Sequence, residues 1–255
     1  MSSPTHRLPG GKGYLRPSTG EILPGVTTLI KALDGDPGAL IGWATKLTAQ
    51  AAVDTAADWK HLSTAEEATA LIKARSRRQQ SQKRDLGTLV HQMIEDWMKG
   101  SQEPGFSMEV EPALQPYMEG LGCFLEEYGF SALATEVTVV NTEVGYAGTL
   151  DAMGQIGSDV VMVDWKTGSL RPTMAAQMLL LNAANIVLGD DGTEVPFMGA
   201  DRLLIVQISP GDYSVTEVDK TPDAEHLATV LVEARRYAQT IGSKMTRLET
   251  PARLT

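Results

Sequence analysis

The sequence predicts an α/β protein in which helices cover a central sheet. Three observations carry this. From residue 85 onward the pattern runs helix, helix, three strands, helix, two strands, helix, without an internal repeat. The segment 159–166 (DVVMVDWK) is apolar on both faces up to its end, as expected of a central strand covered on each side. At Ala134 the texture changes from helical periodicity to β-branched runs.

Taken in order, residues 1–25 are rich in Gly, Pro, Ser and Thr and read as loop, with a short hairpin around 14–22. Asp36-Pro37 is a helix start, a capping residue followed by proline at the first helical position. Leu40, Trp43, Ala44 and Leu47 continue it at helical spacing. A second helix spans 64–99, ends at Gly100, and has a candidate break near Ser81. Residues 101–107 are loop. Residues 109–128 are helical, with Pro112 and Pro116 either in the first turns or dividing the helix. Strands follow at 135–141 and 145–156, separated by a short Thr-Glu turn, and then at 159–166. A helix covers 172–188, a hairpin joins 202–209 to 213–218 around Pro210-Gly211-Asp212, and a last amphipathic helix spans 222–241. The tail 243–255 is polar.

Composition excludes several classes. With 42% hydrophobic and 21% charged residues, the 255-residue chain is globular rather than disordered. Cys123 is the single cysteine, which removes an internal disulfide and any multi-cysteine zinc or iron–sulfur site within the chain and fits a reducing cytoplasm. The N-terminus lacks the apolar core of a signal peptide, and no segment has the length of apolar residues a membrane helix needs. There is no GxxxxGK[ST] loop, so no ATP-driven motor is expected. The net charge of −10 opposes nucleic-acid binding. However, six basic residues (Lys73, Arg75, Arg77, Arg78, Lys83, Arg84) fall between 73 and 84 with no acid among them. Such a run reads either as a solvated helix face or as a contact surface for phosphates.

The candidate chemistry begins at Asp164-Trp165-Lys166. Residues two apart on a strand share a face, so the carboxylate and the ammonium project together while Trp165 points into packing. A carboxylate there can hold a hard divalent cation, and a lysine beside it can orient water or stabilise charge on a phosphate. A structural ion pair at a strand end has the same residues. Asp151 closes GTLD (148–151) on the preceding strand, and two carboxylates converging there would repel without a cation or proton between them. Gly148 allows close backbone approach or a bulge that re-aims Asp151. Glu136 could supply a third acid. Gly87, His91 and Glu95 share a helical face at four-residue spacing. A helical histidine is also commonly a hydrogen-bonded structural residue, and Glu95 reads as exposed helix polarity.

The ordered series GTLVH (87–91), Glu136, GTLD (148–151), DWK (164–166) with Thr167-Gly168, and Gln177 resembles the PD-(D/E)XK nuclease superfamily. Within it the likeness is to the RecB-like branch that includes stand-alone phage exonucleases. It covers roughly residues 85–185, and Val26-Thr27-Thr28-Leu29 is also similar to phage members. The resemblance implies a restriction-endonuclease-like core with a mixed sheet flanked by helices, over 85–242, with a loop and helical region 1–84 packed on it and a tail 243–255. It implies His91, Asp151, Asp164 and the Trp165 carbonyl as ligands of Mg²⁺ or Mn²⁺, Lys166 as catalytic lysine, and Glu136 as an acid near the site. Gln177 matches the start of a QxxxY motif that helps hold Lys166 or the DNA phosphate, with Leu181 at the tyrosine position. The single cysteine excludes the branch that carries an iron–sulfur cluster. The implied activity is metal-dependent DNA hydrolysis, as an exonuclease or end-processing enzyme of phage or bacterial recombination and repair, in the cytoplasm. Arg75, Arg77, Arg78, Lys83 and Arg84 would contact the DNA backbone with little sequence preference. A helicase or single-strand annealing protein is the implied partner class. Alternatives on the same residues are a sequence- or structure-specific endonuclease, a non-catalytic nucleic-acid-binding protein, and a hydrolase of a small phosphorylated substrate.

Overall fold

A two-stranded hairpin near the N-terminus is fastened to the body at both ends. Strands β1 (Tyr14–Arg16) and β2 (Glu21–Leu23) pair antiparallel, where a hairpin was expected. Tyr14 and Leu23 are buried with Val140, Ala147 and Leu188, and Arg16 makes two bonds to Glu194, at 2.8 and 2.7 Å. The computed structural model describes residues 6–11, 13–33, 37–62, 64–101, 103–220 and 223–243. Asp36, Pro222 and residues 244–255 lie outside the described residues, as do the side chains of Leu40, Trp43, Lys83 and Arg84.

Helices α1 (Val26–Leu29), α2 (Pro37–Asp54) and α3 (Ala56–Trp59) lead to α4 (Ala65–Gly100). Thr64 opens α4 with a reciprocal cap: its hydroxyl accepts from Glu67 N at 3.2 Å while Glu67 Oε2 accepts from Thr64 N at 3.1 Å. The break expected near Ser81 is absent, and α4 runs unbroken across residues 84 and 85. No Gly or Pro occurs between Ala65 and Leu86, and the Ser81 hydroxyl donates to Asp85 Oδ2 at 3.0 Å instead of competing for the backbone. Helix α5 (Gln115–Tyr128) starts six residues later than expected, because Pro116 takes its first turn and leaves Pro112 in the turn before it. Gly129, at φ 59°, closes α5 in the left-handed conformation.

The seven-stranded sheet follows. It comprises β3 (Ser131–Asn141), β4 (Tyr146–Ile156), β5 (Asp159–Lys166), β6 (Ile186–Leu188), β7 (Glu194–Pro196), β8 (Arg202–Ser209) and β9 (Asp212–Glu217), in the order β7-β6-β3-β4-β5-β8-β9. Helix α6 (Pro172–Asn182) follows β5, and α7 (Ala224–Ser243) ends the described chain. The pairing of β5 with β8 is parallel and the others are antiparallel, so the sheet is mixed, as expected. Two corrections concern the sheet edge. Helix α6 stops at Asn182 rather than 188, because Asn141 Nδ2 donates to Ala183 O at 2.6 Å and Ile186, Val187 and Leu188 pair with β3. The short strands β6 and β7 were not anticipated.

Each face of the sheet carries its own core. On one, α1, α6 and α7 cover Leu150, Met162, Leu203 and Ile205. On the other, the C-terminal half of α4 and α5 cover Ala152, Val161, Val163, Leu204 and Val206. Strand β5 is thus apolar on both sides until Asp164. Among the described residues, no helix is long and apolar enough to cross a membrane.

Candidate active site

The candidate residues meet where two central strands part. Strands β4 and β5 pair only from Ile156↔Asp159 to Ala152↔Val163, whereas β5 stays paired with β8 as far as Lys166↔Gln207. Asp151 closes this fork from within, its Oδ2 accepting from Trp165 N at 2.9 Å. Residues two apart on a regular strand share a face, yet Leu150 joins the α6 core and Ala152 the α4 core. The reversal falls on Asp151. Glu136 stands opposite, between the pairs Thr135↔Ala152 and Val137↔Leu150, with φ at 52°. Among the described residues it is the one non-glycine of positive φ, a strain of about 1–2 kcal/mol held by the surrounding sheet.

Gly148 provides the close approach that its sequence allowed. A Cβ there would lie 2.5 Å from Leu181 Cδ2 and 3.1 Å from Val26 Cγ2. Leu181, at the position where the resembled motif has tyrosine, is 1% exposed and packs over Gly148 as core.

Asp164 is 2% exposed. Its Oδ1 receives Gln177 Nε2 at 3.5 Å, and its Oδ2 forms an ion pair with Lys166 Nζ but has no aligned hydrogen bond. Lys166 Nζ also donates to Trp165 O at 3.1 Å. The Trp165 ring points the other way, as expected, edge-on to Phe124 and Phe130 with centroids 5.6 and 6.1 Å away. His91, from α4, places Nδ1 3.7 Å from Asp151 Oδ2, and its side chain is 35% exposed. It faces the fork rather than an apolar core. A Cβ on Gly87, one turn earlier, would come 3.1 Å from Thr167 Oγ1, so this glycine lets α4 lie against the end of β5.

Burial sets the electrostatics. It pushes the Asp164 carboxyl up to about 6, with the Asp151 charge adding and Lys166 opposing. It raises Asp151 too, against the pull of Lys166 and the Trp165 N–H. Glu136 rises to about 7, through burial first, then Asp151 and Glu95. His91 is lowered by burial and by Lys166, which favours the neutral imidazole. The site therefore strains to hold its negative charge.

Glu95, expected as exposed helix polarity, instead turns toward the site acids. Its side chain is only 15% exposed, its charge reaches both Asp151 and Glu136, and it is ion-paired with Lys99. Its four-residue spacing from His91 was the available signal. Arg7 and Lys99 are the cations that oppose these acids at Glu136. Arg75, Arg77 and Arg78 are exposed on α4, away from the fork.

Among the described residues, no group of three or more His, Cys, Asp and Glu side chains closes on one point as a ligand shell. His91 and Asp151 meet, while Asp164 Oδ2 is turned to Lys166. The donor types nevertheless suit a hard divalent cation: two carboxylates, an imidazole nitrogen and a carbonyl. The Lys166 ammonium bridges two of those atoms, Asp164 Oδ2 and Trp165 O, so that position already holds a positive charge.

No protein-family model matches the chain, and no curated protein matches it. Among solved structures it is similar to SSO0001, at 15% identity and a TM-score of 0.30 over 56% of this chain and 71% of that one. It is also similar to LHK-Exo, an alkaline exonuclease from Laribacter hongkongensis, at 14% identity and a TM-score of 0.33 over 60% of this chain and 86% of that one. The complex of LHK-Exo with dAMP gives 16% identity and the same coverage and score. At this degree of overlap no residue role passes from those proteins to this one.

Proposed function

We propose that the chain is a divalent-metal-dependent deoxyribonuclease that hydrolyses phosphodiester bonds, acting at DNA ends. The observation that carries the reading is the fork itself. Two raised carboxylates, Asp151 and Asp164, share it with the Lys166 ammonium and a neutral His91. The preference for ends, and a role in phage or bacterial recombination and repair beside a helicase or annealing protein, follow from the motif series alone.

Asp151, Asp164, His91 and the Trp165 carbonyl would hold Mg²⁺ or Mn²⁺, which polarises a phosphate and lowers the proton affinity of water when bound. Asp151 is oriented for this by the Trp165 N–H, and Asp164 by the Gln177 amide. Lys166, released from Asp164, would reach the phosphate or the attacking water and offset the negative charge that builds there. Glu136, whose carboxyl is raised to about 7 by burial and by Asp151, would be a third acid near the site, able to take or return a proton there. His91, kept neutral, offers a ring nitrogen without adding charge.

The test incubates wild type and Lys166→Ala with linear and covalently closed DNA in Mg²⁺, Mn²⁺ or EDTA. Loss of linear DNA alone, abolished in the variant and in EDTA, is the expected result. Nicking of closed circles would replace end-processing with endonuclease action, and equal rates in both proteins would end the mechanism.

A further inference from the structure

The basic run on α4 divides into two groups by its position around the helix. At 3.6 residues per turn, Lys73 lies about five turns before His91 on the same stripe, and Arg77 falls roughly 40° from it. Arg75 and Arg78 fall roughly 140–160° away, on the far side of the axis. All four side chains are exposed. Packing fixes the rotation: Ser76, buried against α2, lies 3.3 Å from the Thr48 hydroxyl, and Gln79 Nε2 donates to Asp54 at 3.1 Å. Both positions fall between the two basic groups on the wheel. Asp85 is the one acid between Lys73 and His91, lies about 80–120° from that stripe, and receives the Ser81 hydroxyl.

We propose that the stripe from Lys73 through Arg77 to His91 is a track for a phosphodiester backbone, and that Arg75 and Arg78 lie off it. The proposal rests on the nuclease reading for its direction, since the track ends at the fork. Because α4 is continuous, the track has a length. At 1.5 Å per residue, Arg77 stands about 21 Å and Lys73 about 27 Å from His91. At 3.4 Å per base pair this is roughly six to eight base pairs of duplex. Lys73 and Arg77 thus grip the backbone that far from the bond being cut, and a shorter duplex cannot reach both ends.

The test measures anisotropy of a labelled 20-base-pair duplex, and of the same strand alone, in EDTA at low salt. It compares wild type, Lys73→Glu/Arg77→Glu and Arg75→Glu/Arg78→Glu, two variants with the same change in net charge, after circular dichroism confirms that each is folded. The first variant should bind about tenfold or more weakly and lose about two units of salt slope, one per phosphate contact. The second should lose at most a few-fold. Wild-type affinity should fall off for duplexes shorter than about eight base pairs. Equal losses in the two variants, no loss in the first, or tighter binding of the single strand with no length step would overturn the track. Cleavage in Mg²⁺ is scored in parallel. Binding that follows the stripe without cleavage keeps the track and removes the nuclease reading; cleavage with binding blind to Lys73 and Arg77 does the reverse.

Discussion

Replacing Asp164 with asparagine should make the protein more stable and, on the nuclease reading, abolish DNA hydrolysis. Asparagine keeps the shape and removes the charge. In the folded protein burial holds the Asp164 carboxyl at about 6, against 3.8 for the ordinary side chain. Roughly two pK units correspond to about 3 kcal/mol of differential interaction. The sign follows from linkage. The folded state binds this proton more tightly than the unfolded chain, so stability is greatest below the unfolded value and falls as pH rises from 3.8 through about 6. Lys166 loses its ion pair in the variant but keeps its bond to Trp165 O and the nearby Asp151 charge, and with 19% of its side chain exposed it regains part of its hydration. The variant should therefore gain up to about 3 kcal/mol at pH 8, or a rise in Tm of up to about ten degrees for a chain of this size, and nothing near pH 4. Denaturation in EDTA at both pH values reads this directly. A variant less stable than wild type at pH 8, or a difference that ignores pH, would refute the claim that the fork is electrostatically strained.

Glu136→Gly removes a left-handed non-glycine and a half-buried acid together; thermal denaturation at pH 8 should show a gain of about 1 kcal/mol and, on the nuclease reading, DNA hydrolysis should fall. Glu136→Gln should flatten the loss of stability between pH 4.5 and about 7, visible in a pH series of denaturation midpoints. Gly148→Ala pushes a methyl against Leu181 and Val26 and should cost about 1–3 kcal/mol in urea unfolding. Thr64→Ala breaks the reciprocal cap of α4, for about 1 kcal/mol and a measurable loss of helical circular dichroism on mild heating.

Periodicity gave strand β5 with its exact bounds, together with the β8–β9 hairpin, because apolar runs and Pro-Gly-Asp are local signals. The edge strands β6 and β7 were hidden because three residues carry too little pattern, and Ile186-Val187-Leu188 reads equally well as the end of an apolar helix. What makes Ile186-Val187-Leu188 a strand is its pairing with β3, with Asn141 holding Ala183 O just before it, a contact between residues 42 apart. The motif residues Asp151, Asp164 and Lys166 were found by spacing along strands, and the structure brings them together. The kink at Glu136 had no sequence signal, since glutamate does not announce a positive φ. Glu95 differs for the opposite reason: its spacing is visible, but a charge on a helix is usually solvated, and the fold half-buries this one.

The helical arm formed by α2, α3 and the first half of α4 differs in kind from the rest of the molecule. Its buried residues among those described are Ala51, Thr55 and Ser76, and the three hydrophobic clusters draw none of their members from it. Its local opening energy is therefore small, while residues 90–98 of the same helix open only with the whole sheet. Amide exchange will accordingly slow along one continuous helix, from fast in the second and later turns of the arm to the global limit at Ile94, and on the nuclease reading the arm is where bound DNA would add order at least cost.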